Sequence, residues 1–252
     1  MSAWQAILFA DSTPMETEIK TLDSHHPGQL DDIVRLHQTL LPRSPVTRLG
    51  RAFMRQFYYL DLVADGLIRA DLCYHEGQAA GFIVYTKFAS EFMSKGLRSH
   101  WLRICAVMTG TVIQHPSSLR EIFRALALLR SRKQQTQHGS SAEILSFGVL
   151  SEFRTGEFIR RTGRRLSIEL FARARDYFAA ENLPNFRMLV EADNRETLLF
   201  YHALGCRFPP SAGEPSGTIE VVYSLDSAPE AQPSPSGPRS ETGGSAVKSV
   251  SE

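Results

Sequence analysis

Apolar positions along the chain change period several times, and each change marks an element. Residues 16–22 alternate apolar and polar side chains well enough for an edge strand. Asp23-Ser24-His25-His26-Pro27-Gly28 is turn chemistry. Leu30, Ile33, Val34, His37, Leu40 and Leu41 then recur on one helical face, and Pro42 ends that helix by disfavouring helical backbone in the residue before it. Beyond Gly50 a second helix is predicted, carrying Phe53, Met54, Phe57 and Tyr58. Runs at 67–74 and 79–85 read as two strands joined by His75-Glu76-Gly77-Gln78, a turn of hairpin length that contains glycine.

Residues 88–137 form a helical insertion with an apolar piece at 101–113 and a break at His115-Pro116. A stripe of Leu119, Ile122, Phe123, Leu126 and Leu129 follows. Arg130, Arg132 and Lys133 close that helix, where cations suit its dipole. The basic face with Arg120 and Arg124 is a solvated helix surface or, alternatively, a lid or docking surface for an anionic acceptor. A strand is predicted over 144–149, a helix from the stripe Leu166, Leu170, Ala174 and Phe178, a strand over 187–192, a helix over 195–204 closed by Gly205, and a last strand over 218–225. Residues 226–252 are dominated by Ser, Pro, Gly and Ala and bury too little apolar surface to order, so a disordered tail is expected. Residues 1–14 read as a flexible extension, with Met15 as an alternative start, which leaves 15–225 as one domain.

Composition narrows the function classes. The 252 residues carry a formal net charge of +1, which argues against a general nucleic-acid binder. Cys73, Cys105 and Cys206 are widely spaced and suggest core packing rather than a disulfide framework or zinc cluster. His25 and His26 lack a partner at ligand spacing, so no metal site is expected. The 101–113 piece contains Arg103 and is too short to span a bilayer. With no signal-peptide pattern at the start, a cytoplasmic protein is the expectation.

The chemically loaded stretch is Arg160-Arg161-Thr162-Gly163-Arg164-Arg165, between the 144–149 strand and the Leu166 helix. A helix start leaves amides unpaired and turns its positive dipole end outward, so a glycine there makes an anion seat. Arginines at such a start oppose the dipole unless an anion compensates them. The plain alternative is a solvated basic turn. Neither G-x-x-x-x-G-K-[ST] nor G-x-G-x-x-G occurs, which disfavours phosphate-loop NTPases and Rossmann enzymes.

Strand, R-x-x-G-x-G/A loop, helix, a strand ending in Ala192-Asp193-Asn194, and a helix reading Phe200-Tyr201-His202-Ala203-Leu204-Gly205 together resemble the GNAT superfamily of acetyl-CoA-dependent N-acyltransferases. The last Gly/Ala of the loop signature is Arg165 here. A gapless alignment would instead put Arg154 and Gly156 at the phosphates and leave Gly163 inside a helix, at a cost of about 1 kcal/mol, and the later loop is preferred. The resemblance implies an α/β (α+β) fold: a mixed, mostly antiparallel central sheet flanked by helices, with the insertion between the third and fourth strands. It implies acetyl-CoA as acyl donor, with the pyrophosphate on Arg160, Arg161, Thr162, Gly163, Arg164 and Arg165. Phe147, Gly148 and Val149 would offer backbone to the pantetheine arm, and Asn194 a side-chain contact. Tyr201 stands where relatives carry the tyrosine that protonates or hydrogen-bonds the departing thiolate. Glu143 stands where histone-type members hold a catalytic glutamate, with Glu191 as second candidate for the base. Ser44, Thr47, Arg48 and Tyr58 fall in the region that lines the acceptor site in relatives.

The leading expectation is therefore direct acetyl transfer to a small-molecule or peptidyl amine in a ternary complex. The alternative is a catalytically degenerate GNAT domain that binds or senses acyl-CoA. A third is an interaction module built on the insertion. A homodimer stays open, and acceptor identity lies beyond the sequence.

Overall fold

Local signals set the element boundaries. The computed structural model describes residues 16–114, 141–209 and 217–225, excepting side chains 108–114. Its sheet has the order β1-β2-β3-β4-β5-β6, with β1 Thr17–Thr21, β2 Arg69–His75, β3 Gln78–Thr86, β4 Glu143–Val149, β5 Asn185–Glu191 and β6 Thr218–Ser224. All neighbours are antiparallel except β4 and β5, which are parallel. A parallel pair needs a crossover. Helices Gly156–Thr162 and Leu166–Ala180 supply it.

The β2/β3 turn is tighter than the sequence suggests. Strand pairing reaches His75 and Gln78, leaving Glu76 and Gly77 at φ 50° and 76°. Two positive φ values in a two-residue loop match the twist of the flanking strands, and Gly77 adopts its value freely.

Helix Pro27–Leu40 ends just before Pro42, as predicted. The second predicted helix is more complex. A short helix, Pro45–Arg48, is capped by the Ser44 side chain, and a longer segment over 51–64 is π-helical across Met54–Asp61. In a π-turn each residue rotates through a smaller angle than in an α-turn, and three consecutive rings, Phe57, Tyr58 and Tyr59, are all buried. These helices cover one face of the sheet, against Leu72, Phe82 and Val84. Leu166, Leu170, Phe171, Ala174 and Phe178 cover the other, against Ile83, Ile144, Phe186, Met188 and Val221.

The insertion lies between β3 and β4 and begins with helices Phe92–Ser99 and Trp101–Gln114. The predicted 119–129 helix and its basic face lie outside the described residues, as do the 1–14 extension and the 226–252 tail. Cys73 and Cys206 are buried, and burial pushes each thiol up to about 12, as suits core packing. Cys105 is exposed, contrary to the core role expected for it. No described helix is long and apolar enough to cross a membrane.

Candidate active site

The site begins with one extra residue in β4. Val84 pairs with Ser146 and Tyr85 with Ile144, so Leu145 is a bulge. Bulges bend a strand and increase its twist. Registered β4/β5 pairing stops at the same point, after Glu143↔Arg187 and Ile144↔Met188. Beyond it β4 stays with β3 as far as Val149, while β5 stays with β6 as far as Glu191, and the two parallel strands part.

The opening is a cleft of about 1070 Å³ that passes through the sheet. Residues 144–149 and 188–191 form its edges. On one face it is lined by Ser167, Asn194, Thr197, Phe200 and Tyr201. On the other it is lined by residues 40–46, Arg48, Tyr58, Phe92 and Met93.

Phe147, Gly148 and Val149 line the cleft. Gly148 also packs against the first helix: an added Cβ would sit 3.0 Å from Leu40 Cδ1, so its absence lets that helix close on β4. Asn194 also lines the cleft, and its side chain accepts the Thr197 amide at 3.1 Å as the N-cap of helix Arg195–Ala203.

The arginine-rich stretch is built differently from the sequence expectation. Thr155 caps a short helix, Gly156–Thr162, and Gly163 closes it at φ 70°. Arg160 and Arg161 thus lie in the last turn of a helix, where cations complement the dipole, and the anomaly inferred for them disappears. Arg164 turns away from the cleft: it pairs with Glu169 and donates to the Thr17 carbonyl at 2.6 Å. Arg165 is the residue before helix Leu166–Ala180. None of residues 160–165 is among the cleft-lining residues. Gly163 is a C-cap rather than a mid-helix residue, so neither alignment of the loop describes the structure fully.

Sequence reasoning missed Ser167 and set aside Arg154, and both line the cleft. Ser167 is the second residue of the Leu166 helix, whose first intrahelical bonds run from the Ile168 and Glu169 amides to the Arg165 carbonyl. The Leu166 and Ser167 amides precede those bonds. Arg154 pairs with Glu196 across the cleft rim. The signal for the extra helix was present as Thr155 and Gly163 bracketing Phe158, Ile159 and Thr162.

Tyr201 is 3% exposed and lines the cleft. Burial, with a smaller contribution from Cys206, holds its hydroxyl well above the ordinary phenol range, so it is protonated at neutral pH. Glu143 does not reach the cleft. It is 1% exposed, and Arg187, equally buried, donates to its Oε2 from Nη2 at 3.0 Å and Nε at 3.2 Å. Glu220 lies 3.6 Å from the same guanidinium. Glu143, expected as the base, thus sits in a buried ion pair and is not among the residues that line the cleft. Glu191, at the end of β5, is exposed and does line the cleft.

The wall opposite Tyr201 is held by a buried histidine. His37 Nδ1 lies 2.5 Å from the Tyr59 hydroxyl and Nε2 lies 2.9 Å from Ser44 Oγ. Ser44 donates to Thr47 Oγ1, which donates to the Leu41 carbonyl. With the Ser44 proton so placed, Nε2 is the donor to Ser44 and Nδ1 accepts from Tyr59. Burial pushes His37 down to about 4, so the ring is neutral. Of the predicted acceptor-side residues, Ser44, Arg48 and Tyr58 line the cleft, whereas Thr47 serves as a link in this chain. Among the described residues no group of acidic, histidine and cysteine side chains is placed to hold a metal ion.

No family model matches the sequence, and no curated protein matches it significantly. Solved structures do. SsHAT aligns with TM-score 0.56 at 14% identity over 83% of this chain and 98% of its own. The PaiA N-acetyltransferase of Thermoplasma acidophilum in complex with coenzyme A aligns with TM-score 0.48 at 11% identity, over 83% and 99%. Arabidopsis thaliana NAA60 in complex with acetyl-CoA aligns with TM-score 0.47 at 14% identity, over 84% and 99%. The six-stranded mixed sheet, parted between β4 and β5 and interrupted by helices after β3, has a GNAT-like fold.

Proposed function

We propose that the chain moves an acetyl group from acetyl-CoA to an amine by direct attack within a ternary complex. The observation that carries this reading is the gap between β4 and β5, which opens to both faces of the sheet. A donor held from one face and an acceptor from the other meet there without a covalent enzyme intermediate.

The residues fit the donor. Backbone groups of 145–149 and 189–191, released from each other by the bulge, suit the amides of a pantetheine arm. The Leu166 and Ser167 amides at the start of a fifteen-residue helix, with Arg154 beside the cleft, suit a diphosphate. When bound, the donor supplies an activated thioester. Tyr201 then meets the sulfur as thiolate character develops. With its acidity weakened by burial, it acts by donating a hydrogen bond rather than by releasing its proton. Glu191 accepts the amine proton, directly or through water.

A second reading, acyl-CoA binding without transfer, draws on the commitment of Glu143 to Arg187. Incubation with acetyl-CoA and a panel of amines, with detection of free thiol, separates the two. Transfer predicts amine-dependent coenzyme A release. Binding of acetyl-CoA with no release for any amine would leave the sensor reading standing.

A further inference from the structure

Two arginines on the acceptor side have no counter-ion among the described residues. Arg43 and Arg48 line the cleft, are exposed, and make no ion pair among the described residues. Their neighbours in the same helical layer behave otherwise: Arg51 and Arg55 share Asp31, and Arg35 holds Asp32. The cleft's carboxylates belong to other elements, Glu191 to β5 and Glu196 to the helix after it, and Glu196 is already paired with Arg154.

The segment bearing the two arginines is rigidly built. Leu41 bonds back to the His37 carbonyl, Ser44 bonds back to Leu41, and Arg48 bonds back to Ser44. The buried His37 ring bolts Ser44 from beneath, and Pro42 and Pro45 restrict the backbone between. Two like charges carried a few residues apart on a fixed segment repel, and an anion between them relieves that repulsion. Low-dielectric walls at the mouth of a cleft strengthen such a field.

We infer that Arg43 and Arg48 receive an anionic group on the acceptor, so that the substrate is an amine that also carries a carboxylate or phosphate. The inference rests on the transferase reading above and specifies its substrate class. The arginines stand on the face opposite the Leu166 helix, so they are not placed for the donor's diphosphate. Val46, Phe92 and Met93 give the carbon portion an apolar wall, and the guanidinium forks suit planar carboxylate or phosphate oxygens.

The test uses matched amines: 4-aminobutyrate against butylamine, β-alanine against its amide, and phosphoethanolamine against ethanolamine. Wild type, Arg43→Gln, Arg48→Gln, the double variant and the double lysine variant are assayed for kcat/KM, and acetyl-CoA binding is measured by calorimetry. Wild type should prefer the charged member of at least one pair by roughly tenfold, the scale of a charge-assisted hydrogen bond. The carboxylate and phosphate arms show which anion is taken. In the double glutamine variant that ratio should fall towards one, the lysine variant should restore part of it, and acetyl-CoA affinity should hold within about twofold, since these residues face away from the donor. Equal rates on both members, a preference that survives the double glutamine variant, or transfer to the members without the anion and none to those with it would overturn the inference alone; binding of acetyl-CoA with no transfer to any amine would overturn the transferase reading and the inference with it. Failure to bind acetyl-CoA at all would overturn the transferase reading and the inference with it.

Discussion

The two ends of the β4/β5 pair are made of the same strands and do opposite things. At the closed end Glu143 and Arg187 face each other across the ladder, both almost wholly buried, and the strands are in register. At the open end, past the Leu145 bulge, the strands separate and their backbone edges line a cleft. Each end offers a glutamate. Of the two, Glu191, at the open end, lines the cleft and Glu143 does not. Position along the parting strands thus decides whether a carboxylate is buried in the fold or open to the cleft, and residue type alone does not.

The largest expected effect comes from breaking the closed end. Glu143→Gln removes the nearer carboxylate from a buried guanidinium, leaving Glu220 at 3.6 Å, and should lower stability by about 3 kcal/mol in denaturant unfolding. If the folded variant keeps its transfer rate, the structural assignment of Glu143 stands, and a fall in kcat with unchanged stability would reverse it.

His37, behind the acceptor wall, should give a pH signature of similar size. Its folded value is depressed to about 4 against an ordinary 6.5, so the unfolded chain binds more protons between those values. Its contribution is complete above pH 6.5 and is lost as pH falls towards 4, at up to about 1.4 kcal/mol per unit. Subtracting the stability profile of His37→Gln from that of wild type should isolate this slope. Parallel profiles would show that the ring does not titrate as its burial requires.

At the open end, Tyr201→Phe should slow turnover roughly tenfold to a hundredfold while acetyl-CoA affinity stays close to wild type. An unchanged rate would remove Tyr201 from the chemistry and leave it as packing against Phe171. The smallest effect belongs to Gly163→Ala. At φ 70° with no neighbour within 4 Å of an added Cβ, only backbone strain opposes the change, and about 1 kcal/mol of stability should be lost.

The helix Pro27–Leu40 and the β2/β3 hairpin were legible because their apolar spacing is regular and their ends carry proline or glycine. The π-helical Met54–Asp61 was not, since Phe53, Met54, Phe57 and Tyr58 fit an α-helical stripe equally well. The mixed, mostly antiparallel sheet with helices inserted after its third strand followed from the family resemblance, and the structure bears it out. The loop near Gly163 was read as one turn because arginine density drew attention from the cap signals on either side of Phe158. Glu143 looked catalytic because a sequence does not reveal that Arg187, 44 positions away, lies directly across the ladder. Ser167 gave no signal of its own. Its place at the cleft depends on where the helix starts.

The most direct measurement is amide hydrogen exchange, read residue by residue, with and without acetyl-CoA. If the parted strands take the pantetheine arm, exchange should slow at 146–149, at 189–191 and at the Leu166 and Ser167 amides, and the already paired Glu143 and Ile144 should change little. Slowing confined to other parts of the sheet, or no change at saturating acetyl-CoA, would contradict the assignment of the gap as the donor site.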